Sequence, residues 1–149
     1  MITFKNKKEL LDFINNQNDY IRQFIEILNE NGIEGDYNNL IEKIDLIQIF
    51  LENCVANFSI EKQDVFRLGF WAFFSILLME QLGGELKIAS PSDYSAGTPQ
   101  LINYGRRFDK KGKRKWIGIA FDSWFESHLT KNNLVSLNGK IKKLIEDYS

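Results

Sequence analysis

One cysteine, one histidine and two prolines are all that 149 residues supply, and each scarcity closes a line of chemistry. Cys54 alone can form neither an internal disulfide nor a cysteine-based zinc site. It stands in a helical pattern and is expected in the core as a small residue. His128 is the only base a Ser-His-Asp or Cys-His arrangement could use, and Cys54 or a serine would have to reach it through the fold. Its setting predicts a partly exposed helix residue. No G-x-G-x-x-G, Walker A loop or EF-hand spacing occurs, and Gly83-Gly84 stands isolated. Paired carboxylates are not readable from sequence, because their separation belongs to the fold. The expectation is a non-enzymatic chain with no cofactor and no metal.

A long hydrophobic run is also missing. The uncharged stretch Leu68 to Met79 holds twelve residues between Arg67 and Glu80, whereas a hydrocarbon core of about 30 Å needs about 20. No membrane association is expected. The opening Met-Ile-Thr-Phe-Lys-Asn-Lys-Lys-Glu lacks the apolar region of a signal peptide, so the expected location is cytoplasmic. A count of 18 Ile, 14 Asn and 14 Lys against 5 Arg fits an AT-rich bacterial coding sequence.

What is present is the core of one domain, residues 1–149. Aligning Phe66, Phe70, Phe73, Phe74 and Leu77 on one helical face leaves Leu68, Trp71, Ala72, Leu78 and Met79 on the others, so neighbours must cover this helix on several sides. Gly69 costs roughly 1 kcal/mol of helix stability relative to Ala and implies a close neighbour. Around it, residues 1–84 read as helices. Asn6 with Glu9 opens a periodic run to Gly32 that the polar stretch from Asn15 to Asp19 can split. Leu40, Ile41, Ile44, Ile47, Leu51, Cys54 and Val55 mark a second helix to about Ala56, and Ser59 caps the aromatic helix, which runs to Leu82.

From Glu85 the period changes to two. Glu85 to Ala89, Leu101 to Tyr104 and Trp116 to Phe121 read as strands of a small antiparallel meander, with loops at 90–99 and 106–115. Asp122 or Ser123 with Glu126 opens a short helix, and Leu137 to Tyr148 forms a terminal amphipathic one. Helices, then strands, then helices give an α+β fold: N-terminal helices around a buried central helix, a β-meander and two C-terminal helices.

Charge divides at the same boundary. Residues 1–84 carry net −6 and residues 85–149 net +5, giving a chain of −1. Positions 106–115 hold seven cations and one anion. A hairpin tip of that kind can meet an acidic protein, with charge raising the association rate. It can instead neutralise nucleic-acid phosphates, with Phe108 or Trp116 stacking, or stay solvated and keep strand edges from pairing. The partner-binding candidates are Arg106, Arg107, Lys110, Lys111, Lys113 and Arg114, joined by Tyr94 in a small polar loop suited to adaptable contacts. Tyr94 could equally fold back over the sheet edge. The helical half offers a rival acidic face at Glu26, Glu30, Glu34 and Asp36.

The passage from Leu68-Gly69-Phe70-Trp71 through Leu82-Gly83-Gly84-Glu85-Leu86 to Phe121-Asp122-Ser123-Trp124-Phe125 resembles a group of small bacterial immunity-protein-like domains. There a glycine-containing aromatic helix ends at glycine, enters short strands and is followed by a short helix. The resemblance spans about Val65 to Leu129, with Phe73 in place of a second helix glycine and Leu86 in place of a strand tryptophan. It implies a non-enzymatic module that neutralises a bacterial toxin by stoichiometric binding, as an immunity or antitoxin-like inhibitor. The alternative from composition is a nucleic-acid-binding accessory protein using the basic hairpin 106–115.

Overall fold

A computed structural model describes residues 2–132 and 135–149. The chain runs through α1 (Lys7–Asn15), α2 (Gln17–Glu30), α3 (Tyr37–Leu40), α4 (Ile44–Cys54), a 3-10 turn (Val55–Asn57) and α5 (Ile60–Leu82). It continues through β1 (Glu85–Ile88), β2 (Pro99–Ile102), β3 (Ile119–Ala120), α6 (Phe121–Leu129) and α7 (Leu137–Tyr148). The strands form one antiparallel sheet in the order β1-β2-β3, as expected of a meander.

Helix α5 is the axis of the domain. Phe66, Phe70, Trp71, Ala72, Phe73, Phe74 and Leu78 are fully buried, so the helix is packed on several sides, and α2, α6 and α7 supply much of the cover. Its 23 residues are long and apolar enough to cross a membrane by length and composition. Here 67% of that apolar stretch is buried inside the protein. Ring contacts join α5 to its neighbours: Phe66 lies 4.7 Å from Phe24 and 5.6 Å from Phe50, and Phe70 lies 5.3 Å from Phe125. A Cβ at Gly69 would stand 2.4 Å from Phe24 Cβ and 2.9 Å from the Tyr20 carbonyl, so the α2 backbone occupies the side-chain space glycine leaves free.

Local signals set most boundaries. The Asn6 side chain accepts the Glu9 amide, while the Glu9 carboxylate accepts from Lys5 N and not from Asn6 N. Ser59 caps α5 through the Lys62 amide, and Gly83 ends it at φ +69. The polar stretch does divide the first helical run, at Asn16.

Several expectations need correction, among them the second strand, which runs Pro99–Ile102 and ends before Asn103. The second helix is two: Asp36 and Asn39 form a capping box for a single-turn α3, and the chain unwinds at 41–43 before α4. Cys54 is exposed, because α4 gives way to the 3-10 turn there and the turn buries Val55 instead. The third strand shortens to Ile119–Ala120, since Phe121 already begins α6 and Trp116 to Gly118 approach the sheet without pairing. That helix starts earlier than Asp122, with Ala120 as N-cap and no capping side chain.

Candidate functional site

The connection between β2 and β3 folds as a hairpin closed by a bridge between Phe108 and Arg114. Its turn is built by its single acid. Asp109 Oδ1 accepts the amides of Lys111 at 2.8 Å and Lys113 at 2.9 Å, Asp109 N donates to Lys113 O, and Gly112 turns the chain at φ +81. These amides, Lys113's first, together with the lysines around it, hold the Asp109 carboxyl below its ordinary value. The carboxylate is therefore spent on the turn. Among the described residues none of Arg106, Arg107, Lys110, Lys111, Lys113, Arg114 and Lys115 makes an ion pair.

Two of these cations also brace the hairpin. Arg114 donates to Asn103 O at 3.0 Å and lies over the Phe108 ring at 5.6 Å, and Arg107 lies over Tyr148 at 5.7 Å. Arg106, Lys110, Lys111 and Lys113 stay exposed. Tyr94 does not fold back: it is 94% exposed. Its loop is pinned just after Tyr94, with Phe4 N donating to Gly97 O and Ser95 hydrogen-bonded to Ser123 of α6. Among the described residues no hydrogen bond, ion pair or ring contact joins Tyr94 to the hairpin.

Beside the hairpin lies a groove of about 520 Å³ between the β3 edge and α7. Ile117, Ile119, Trp124, Leu144 and Tyr148 give it apolar walls, and Lys140 and Lys143 stand on its α7 side. Tyr104 donates to Ile117 O at 2.7 Å and accepts from Ile117 N at 3.4 Å; burial pushes its phenol up to about 12 against the pull of that accepted amide, with Tyr148 adding to the rise. Lys143 pairs with Asp147 at 3.2 Å. Among the described residues Lys140 has no carboxylate partner; its ammonium lies 5.6 Å from the Trp124 ring, and burial lowers its pKa. Sequence reasoning missed this groove. Its walls come from α6, α7 and the β3 approach, which only the tertiary fold brings together.

Two further polar clusters lie within the helical packing. Arg67, 4% exposed, donates to Asp122 Oδ1 at 2.5 Å and pairs with Glu126 at 2.7 Å, and Trp71 Nε1 donates to the same Asp122 oxygen at 3.2 Å. Burial raises the Asp122 carboxyl above its ordinary value, outweighing the opposing pull of Arg67. His128 is 1% exposed, not a half-exposed helix residue, and its Nδ1 lies 2.8 Å from Glu52 of α4. It is drawn inward because Phe121, Phe125 and His128 share the face of α6 that packs on α4 and α5. Both clusters tie α6 to the helices beneath it. Among the described residues no group of three or more His, Cys, Asp and Glu is placed to hold a metal ion.

No protein-family profile, curated protein or solved structure matches the chain.

Proposed function

We propose that this chain is a cytoplasmic, non-enzymatic binding module that acts by covering a functional surface of another protein, in the manner of an immunity or antitoxin-like inhibitor of a bacterial toxin. The observation that carries this reading is the hairpin: seven cations, none of them in an ion pair among the described residues, are held around a turn fixed by the one acid among them. A hairpin ordered before encounter loses less conformational entropy on binding than a loose loop. Its charge steers an acidic partner toward it, and the apolar groove beside it supplies contact area that excludes water. Occlusion needs no chemistry from the chain.

The test is co-expression with the product of the neighbouring reading frame, followed by isolation of the complex. The expected result is a one-to-one complex with relief of that product's toxicity, weakened by the combined reversal of Lys110, Lys111 and Lys113 to glutamate. Undiminished toxicity and no complex refute the reading.

A second reading, a nucleic-acid accessory protein, draws on the same cations together with Phe108, 50% exposed, as a stacking platform. Counterion release then demands affinity that falls steeply with salt. A mobility-shift titration without salt-sensitive binding removes it.

A further inference from the structure

The groove between β3 and α7 carries information about the form of its occupant. Four consecutive residues, Ile117 to Ala120, line it. Successive side chains of an extended segment point to opposite faces, so four in a row along one wall present its backbone; Ile119 and Ala120 are the strand itself, and Ile117 already has its N–H and C=O on the Tyr104 hydroxyl. β3 is the last strand of the sheet, with β2 on one side only. Its two residues pair opposite Gln100 and Leu101, and in an antiparallel ladder alternate residues turn their N–H and C=O away from the partner strand. Among the described residues, Gly118, Ile119 and Ala120 make no backbone hydrogen bond outside the sheet and α6.

The opposite wall specifies charge. Lys143 is matched by Asp147, but Lys140 is half-buried against Trp124 and, among the described residues, has no carboxylate paired with it. A lysine so placed is poorly solvated, and a carboxylate delivered into the groove both restores a partner and gains from the low local dielectric. The unpaired cations of the hairpin extend the same sign along the approach.

From these features we infer that the groove accepts an extended acidic segment of a partner protein, which adds as a strand to the free edge of β3, sets alternate apolar side chains against Trp124 and Leu144, and directs a carboxylate to Lys140. This rests on the protein-binding reading above and names the shape and charge of the partner at that site. Main-chain pairing supplies affinity and the alternate pockets supply selectivity.

The experiment uses the full chain and a fluorescein-labelled eight-residue peptide alternating aspartate with isoleucine, read by fluorescence anisotropy. Saturable binding is expected, with no binding of the matching lysine-isoleucine peptide. N-methylation of alternate amides is expected to abolish binding when the methyls lie on one edge of the peptide and to leave it intact on the other. Lys140→Glu should weaken binding at least about tenfold, the scale of losing a charged contact in a partly buried site. Lys140→Gln, which keeps most of the packing on Trp124, should lose most of that affinity while its thermal melt stays that of the parent. Equal binding of both peptides, indifference to N-methylation on either edge, unchanged affinity of the two variants, or no saturation up to millimolar peptide each overturn the inference. Displacement of the peptide by a single-stranded oligonucleotide overturns it too, since the groove would then be reading phosphate. In the co-expression assay, a partner complex that survives Lys140→Glu but is lost on hairpin charge reversal removes the groove and keeps the protein-binding function.

Discussion

Replacing Gly69 with alanine adds one methyl group where α2 and α5 approach most intimately, and two opposed effects fix the outcome. Taken alone, the change favours the helix by about 1 kcal/mol. Against it, the new Cβ would sit 2.4 Å from Phe24 Cβ and 2.9 Å from the Tyr20 carbonyl, where carbon atoms ordinarily rest about 3.5–4.0 Å apart. Both obstacles are backbone or directly attached to it, so a rotamer change cannot relieve them. The helices must separate by about 1 Å, which loosens the Phe24 contacts with Phe66 at 4.7 Å and Phe73 at 5.4 Å. Such ring pairs are worth about 0.5–1.5 kcal/mol each beyond area burial, and overpacking typically costs about 1–3 kcal/mol. The net expectation for Gly69→Ala is a loss of about 2 kcal/mol, a fall in Tm of about 4–8 °C for a chain of this size. Urea titrations followed by circular dichroism measure it, with the m-value held common to both proteins. A variant with the parent's midpoint or a higher one refutes the packing argument, because propensity would then have prevailed over contact.

Other positions separate causes in the same way. Gly84→Ala should be more damaging than Gly83→Ala: both have positive φ, costing about 1–2 kcal/mol for a Cβ, but only at Gly84 would the new atom also meet the Ile102 carbonyl at 2.7 Å. Paired thermal melts test the order. Asp122→Ala leaves Arg67 buried with Glu126 alone and should cost about 3 kcal/mol, while a double Arg67→Met, Asp122→Leu variant should recover most of that loss in a double-mutant cycle. Because burial raises the Asp122 pKa above 3.8, the folded state holds this proton more tightly than the unfolded chain. Its stabilising contribution is full below that ordinary value and declines as pH rises through the folded one, so urea midpoints of the parent relative to Asp122→Asn should fall across that window. Asp109→Ala should speed hydrogen exchange at the Lys111 and Lys113 amides while the global urea midpoint holds, since both bonds lie in an exposed tip.

Composition and periodicity determined the architecture of this protein because they report what water excludes. An aromatic segment apolar on all sides has to be wrapped, a glycine within it has to admit a neighbour, and a change of period at Gly83-Gly84 has to end a helix and begin strands. The seven cations of 106–115 were equally legible, since the one acid among them cannot neutralise them. Spacing failed where two helical readings compete, at Cys54, which keeps the apolar phase of α4 yet lies where a 3-10 turn shifts the inward face to Val55. It failed also at His128, whose burial depends on a face shared with Phe121 and Phe125 meeting α4, a contact between segments 76 residues apart. The groove was beyond sequence altogether. Its walls are a strand edge and a helix flank separated along the chain, and the charge of Lys140 acquires meaning only when Trp124 lies against it and, among the described residues, no carboxylate pairs with it. Local sequence dictates which surfaces must be hidden; which polar groups are then left without partners is decided by tertiary packing, because desolvation and pairing depend on neighbours from distant parts of the chain.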